Sequence, residues 1–178
     1  HALVSLGNTQ YVAGEYAEAE ANYRRALAIE QEELGPLHLR TAATLSNLAA
    51  IPFAAGDYAA ARALFEQARV VEAAAFGEEH PEIARGLNNL ATIAYLTDDL
   101  PQARALYEQA LAIREKVLGP DHPDVAFSLT GLADVFEVMG DRVGARAMNE
   151  RALAIREKAL GADHPDLAVN LVSLGKLR

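Results

Sequence analysis

Gly119-Pro120-Asp121-His122-Pro123 follows the stretch Leu106-Tyr107-Glu108-Gln109-Ala110-Leu111-Ala112-Ile113-Arg114-Glu115-Lys116, and both recur along the chain. The turn phrase reads Gly35-Pro36-Leu37-His38, then Gly77-Glu78-Glu79-His80-Pro81, and last Gly161-Ala162-Asp163-His164-Pro165. The four glycines, at 35, 77, 119 and 161, stand 42 residues apart. A fixed period of that size marks a solenoid built by stacking one supersecondary unit. Solenoids usually work as extended binding surfaces, so the period bounds function as well as fold.

Aligned on the period, each unit resolves into two helices. The first carries Leu3/Leu6, Leu45/Leu48, Leu87/Leu90, Leu129/Leu132 and Leu171/Leu174, a three-residue step that puts each pair on one face. Small residues follow (Gly7, Ala49, Ala91, Ala133, Gly175) and allow close helix approach. The turns Gly14-Glu15, Gly56-Asp57, Asp98-Asp99 and Gly140-Asp141 combine a residue suited to a left-handed helix end with an acidic cap for the next helix. The second helix shows Ala19, Ala61, Ala103 and Ala145, then Tyr23, Phe65, Tyr107 and Asn149, then Ala26, Ala68, Ala110 and Ala152. Arg62–Glu66, Arg104–Glu108 and Arg146–Glu150 are i,i+4 pairs worth about 0.2–0.5 kcal/mol each, which describes a solvated face.

Helices are therefore expected over 1–13, 15–34, 38–55, 57–76, 80–97, 99–118, 122–139, 141–160 and 164–177. The array spans 1–178, with repeats at 1–36, 37–78, 79–120 and 121–162 and a closing helix. Pro81, Pro123 and Pro165 fall in first helical turns, which tolerate a missing N–H. Pro52 falls inside a helix and is expected to kink its last turn.

Composition narrows the function. Hydrophobic residues make up 51% but aromatics only 6%, which suits closely packed Ala-rich helices. A formal charge of −9 argues against nucleic acid and anionic membrane surfaces. No apolar run is long enough to span a bilayer. With no cysteine there is no disulfide or thiol nucleophile, which fits a cytoplasmic protein. The chain opens on His1, read as a tag remnant, partway into a repeat, and is read as a piece of a longer polypeptide.

Leu87-Asn88-Asn89-Leu90-Ala91, the 106–116 stretch and Leu118-Gly119-Pro120-Asp121-His122-Pro123-Asp124 together resemble the tetratricopeptide repeat. More narrowly they resemble the 42-residue form found in kinesin light chains and many bacterial multidomain proteins. The resemblance covers essentially the whole chain. It departs where the aromatic that usually follows the Leu-Ala element appears only as Phe136. Gln10, Pro52 and Ala94 replace it elsewhere, with Tyr11, Phe53 and Tyr95 one position later. The resemblance implies an all-α, right-handed solenoid whose first helices line the concave face. It also implies that helix 164–177 covers the last apolar surface, ending in Lys176 and Arg178.

His38, His80, His122 and His164 recur once per repeat, so they are spaced out and cannot converge on a metal; they read as turn residues. Asp121-His122 and Asp163-His164 lack a nucleophile beside them. The His-Pro-Asp tripeptides at 122–124 and 164–166, also found in J-domain co-chaperones, are repeat turns here. Glu78-Glu79 and Asp98-Asp99 read as caps and solvated charge. There is no glycine-rich phosphate loop. No enzyme activity, cofactor or metal is expected.

The family's inward positions, taken one by one, are Asn8, Tyr11, Asn47, Phe53, Arg85, Asn88, Asn89, Thr92, Tyr95, Phe127, Thr130, Asp134 and Glu137. Asn suits the backbone of an extended peptide because it both donates and accepts. Tyr and Phe offer apolar area, and Arg85 a fork for a carboxylate. This face runs from basic and amide-rich near Arg85 to acidic near Asp134 and Glu137. Asn8, Asn47 and Arg85 match slots of a carboxylate clamp, but Val4 and Asn89 replace its other two cations, so a clamp of that type is disfavoured.

The leading expectation is a protein–protein interaction module that binds a peptide or extended segment in its concave groove. Two other readings stand beside it. One is a sensor or regulatory arm of a larger enzyme (kinase, nucleotide-switch ATPase or protease); the other is self-association through terminal repeats.

Overall fold

The computed structural model describes residues 2–162 and 164–177. His1, Asp163 and Arg178 lie outside the described residues, and with them the tag reading, the Asp163-His164 pair and the Arg178 end of the closing helix. Among the described residues there are nine α-helices, one 3₁₀ turn and no strand.

The helices are α1 (Ala2–Ala13), α2 (Tyr16–Glu33), α3 (Leu39–Ala54), α4 (Tyr58–Phe76), α5 (Pro81–Leu96), α6 (Leu100–Leu118), α7 (Pro123–Val138), α8 (Arg142–Leu160) and α9 (Ala168–Lys176). They fall within three residues of the expected bounds except at α9. There the 3₁₀ turn Pro165–Leu167 takes the first positions.

The chain forms two compact units, residues 1–78 and 79–178. In the first, α1 pairs with α2 and α3 with α4, and α2 packs on α3. Its core joins Ala19, Tyr23, Leu48 and Ile51, and next to them Ala42, Leu45, Ala68 and Val71. In the second, α5 pairs with α6 and α7 with α8, α6 packs on α7, and α9 lies on α8. Its core joins Ala91, Ala103, Tyr107, Leu132 and Val135, and beyond them Val125, Ala126, Leu129, Ala152 and Ile155.

Two turn designs alternate. After each first helix the chain closes with a 6→1 bond of the Schellman type: Asp99 N–H donates to Ala94 O (2.8 Å) and Asp141 N–H to Phe136 O (2.9 Å). Pro52 does not disturb this. α3 runs through to Ala54, and Asp57 N–H donates to Pro52 O at 2.8 Å, as in the other repeats. Gly14, Gly56 and Gly140 hold φ near +80°, while Asp98 holds +61° in the same slot. Asp57, Asp99 and Asp141 then cap the next helix through a carboxylate oxygen. Glu15 makes no side-chain cap, since its extra methylene moves the carboxylate off the N–H groups.

The second design uses the recurring histidine. In His38, His80, His122 and His164, Nδ1 accepts the backbone N–H two residues on, capping the following helix. Gly77, Gly119 and Gly161 precede it at φ 83–90° and ψ 156–162°, a region open essentially to glycine alone.

α9 lies on α8 but presents an apolar face of its own. Its Val169, Leu171 and Val172 are all more than half exposed, whereas Leu129, the repeat counterpart of Leu171, is fully buried. Leu129 is covered by Ala152 and Ile155 of the second helix of its own repeat. The described part of α9's repeat supplies no such helix.

Two outcomes are expected. Asp98→Gly relieves a left-handed side-chain conformation and should raise stability by about 0.5–1 kcal/mol in urea unfolding. His122→Ala should lose about 1 kcal/mol with the cap, whereas His122→Asn, which can still accept that N–H, should lose much less.

Candidate functional site

In the second unit, α5 and α7 lie side by side and leave a cleft of about 320 Å³ between them. Glu82, Arg85, Asn88 and Asn89 face it from α5, Asp124 and Phe127 from α7, and Arg114 of α6 reaches it from beneath. Four of the sequence-predicted residues, Arg85, Asn88, Asn89 and Phe127, are thus brought together. Arg85 Nε donates to Glu82 Oε2 at 2.8 Å.

Arg114 is the residue that sequence reasoning missed. It is 6% exposed, and its Nη1 donates to Ser128 Oγ (2.8 Å), which in turn donates to Asn88 Oδ1 (3.1 Å). Burial lowers its pKa from the ordinary arginine value; Asp124 and Glu82 oppose that effect and Arg85 adds to it. A guanidinium remains charged under such a pull, so the cleft has a desolvated cation beneath it.

One repeat further on, the same design returns. Arg156 Nη1 donates to Thr130 Oγ1 (3.1 Å) and to Asn170 Oδ1, and Asn170 Nδ2 donates to Asn149 Oδ1 (2.8 Å). The Arg156 guanidinium lies 5.7 Å from the centroid of Phe127, a ring 60% exposed on the α7 face. The first unit inverts the charge. There Glu30, at the position of Arg114, accepts from Thr44 Oγ1 at 2.6 Å and pairs with Arg40 at 3.3 Å. The opposed columns Glu30, Arg114, Arg156 and Thr44, Ser128, Asn170 lie 14 residues apart in sequence. A charged residue repeated on an otherwise apolar stripe, with a polar residue 14 positions later, was the available signal.

The acidic end of the face is also present. Tyr95 is half-buried, and burial first, then Asp134 and Glu137, raise its pKa. Asp134 is raised by burial and then by Glu137, with Lys176 opposing.

Other predicted residues serve the fold. Asn8 Oδ1 accepts from Tyr23 OH at 2.8 Å, and Thr92 Oγ1 shares a 2.9 Å hydrogen bond with Tyr107 OH. These two anchor the buried tyrosines of their own repeats. Where the ring is Phe65, the matching position is Ala50, with no polar partner needed. Tyr11 meets Tyr16 as a tilted ring pair at 5.4 Å and Phe53 meets Tyr58 edge-on at 5.7 Å, each pair bracketing a turn of the first unit. Asn47 is half-buried on α3.

Among the described residues, no group of three or more His, Cys, Asp or Glu could hold a metal ion. No described helix is long and apolar enough to cross a membrane.

A family model described as tetratricopeptide repeat matches residues 1–71, 41–116 and 82–158. The fold is similar to that of BtubC (BKLC) from P. vanneervenii, with a TM-score of 0.86 and 27% identity over 98% of this chain and 70% of that one. It is also similar to a kinesin light chain-like protein of Podosopora anserina with nearly identical TPR-like repeats. That comparison gives a TM-score of 0.80 and 26% identity over 99% of this chain and 83% of the other. No curated protein matches the sequence.

Asp134 gives the site a pH signature. Its folded pKa lies above the ordinary 3.8, so the folded state holds the proton more tightly than the unfolded chain. The native state is therefore penalised once pH rises past that range, and the penalty persists at neutrality. Asp134→Asn should be more stable than wild type at pH 7, with the difference shrinking as pH falls through the raised folded pKa toward 3.8. Urea midpoints across that range check the sign.

Proposed function

The chain belongs to the tetratricopeptide repeat family, whose repeats mediate protein–protein interaction, and from that premise we propose that it binds a peptide or extended segment along its first-helix face. The observation that carries this reading is the α5–α7 cleft, where amides, a guanidinium and an exposed ring converge above the buried Arg114. Asn88 and Asn89 offer both donor and acceptor to a peptide backbone. Phe127 supplies apolar area, and Arg85 offers planar donors to a carboxylate. A cleft lined by packed helices loses little entropy on binding, so its affinity comes from pre-organisation. Tyr95, Asp134 and Glu137 continue the face as an acidic stretch that favours basic character in that part of the ligand.

The test is capture from lysate on immobilised protein, wild type beside Asn89→Ala/Tyr95→Ala and Arg85→Ala/Phe127→Ala. A protein retained by wild type and lost, or weakened at least tenfold, in both folded variants is the expected result. Equal retention by all three would rule out the first-helix face as the binding surface.

A further inference from the structure

A second cavity, of about 280 Å³, opens in the first unit away from the first-helix cleft. Leu48, Ile51 and Pro52 of α3, Ala60 and Leu64 of α4, and the ion-paired Glu20 and Arg24 of α2 form it. The chain supplies its own comparison for this place. Moved two repeats on, Pro52 becomes Phe136, Glu20 becomes Arg104, Ala60 becomes Gly144 and Leu64 becomes Met148. In the second unit, Phe136 and Met148 both pack on the core that contains Leu132 and Val135, the counterparts of Leu48 and Ile51. The Arg104 guanidinium lies 5.3 Å from the Phe136 centroid, and a β-carbon at Gly144 would stand 3.2 Å from Phe136 Cδ2. The Phe136 ring therefore occupies, in its own repeat, the place that Pro52 leaves open.

We infer that the Pro52 cavity is a docking site for an aromatic side chain of a partner segment, flanked in that segment by a basic residue. Size sets the first half: 280 Å³ lies just below the usual range of about 300–1,000 Å³ for small-molecule pockets and suits one side chain. Its Leu48 and Ile51 correspond to Leu132 and Val135, beside which a phenyl ring packs in the second unit. Charge sets the second half. In the second unit the ring receives its cation from Arg104; here Glu20 stands in that place, with Asp57 also at the cavity and only Arg24 to offset them. The cation over the ring must then come with the ligand, which also suits a chain of net charge −9. A buried aromatic anchor in a fitted pocket is the usual form of a binding hot spot.

The probe is a capped tetrapeptide, serine-phenylalanine-arginine-serine, titrated into the labelled protein and followed by amide chemical shifts. Saturable shifts at Leu48, Ile51 and Ala60 are expected, with a Kd on the order of 1 mM for so small a ligand. Replacing the peptide's phenylalanine by alanine should weaken binding at least tenfold. Pro52→Phe, which rebuilds the arrangement of the second unit, should abolish it; Ala60→Met fills the same space from α4 and serves if Pro52→Phe does not fold. Glu20→Gln should weaken this peptide but not one with glutamine in place of arginine. The proposal is overturned by no saturable shifts at 20-fold higher peptide than that Kd, by equal binding to a folded filled variant, or by shifts centred on Arg85 to Asn89.

Discussion

The structure depends on one ring held between helices. Tyr107 stands on α6, shares a hydrogen bond with Thr92 of α5 and lies against α7 so closely that a β-carbon at Gly131 would be 2.4 Å from its ring. A single side chain thus binds one first helix through its hydroxyl and the next through its face. Tyr23 on α2 likewise donates to Asn8 of α1, but its ring excludes a β-carbon at Gly7 of that same helix, which would be 2.6 Å away, and meets α3 through Leu48 and Ile51. Interiors this tight leave no room for an added methylene, so the small residues around each ring are as constrained as the ring itself. The Ala-rich composition follows from that spacing.

With helix positions fixed by rings and small residues, the polar column between repeats is free to change sign. Glu30 and Arg114 occupy the same place, each bonded to a hydroxyl of the following first helix, yet one is an anion and the other a cation. Neither charge alters the backbone pattern. Each does change the field beneath the face above it, because a buried charge acts through a low dielectric. The same scaffold can therefore present different chemistry repeat by repeat.

Repetition also turns the chain into its own control. Pro52 keeps the Schellman turn that Phe136 makes but gives up the ring, so the turn persists while the space beside it opens. Departures from the repeat that leave the turns intact cost the array little and are where binding surfaces can arise.

The sequence by itself determined the period, the two helices of each unit, the turn glycines and the placing of the histidines in turns. All of these follow from local rules: side-chain spacing on a helix, φ/ψ limits at glycine, and N–H groups that need an acceptor at helix starts. The family resemblance, taken position by position, named Arg85, Asn88, Asn89 and Phe127, which line one cleft. Only the tertiary structure decided which polar residues are engaged by a neighbouring helix. Asn8 and Thr92 belong to tyrosine hydroxyls, and Arg114 and Arg156 reach between repeats to Ser128 and Asn170. Those partners lie 14 or 15 residues away on another helix, and their meeting is set by how the helices pack, which spacing along one helix does not encode.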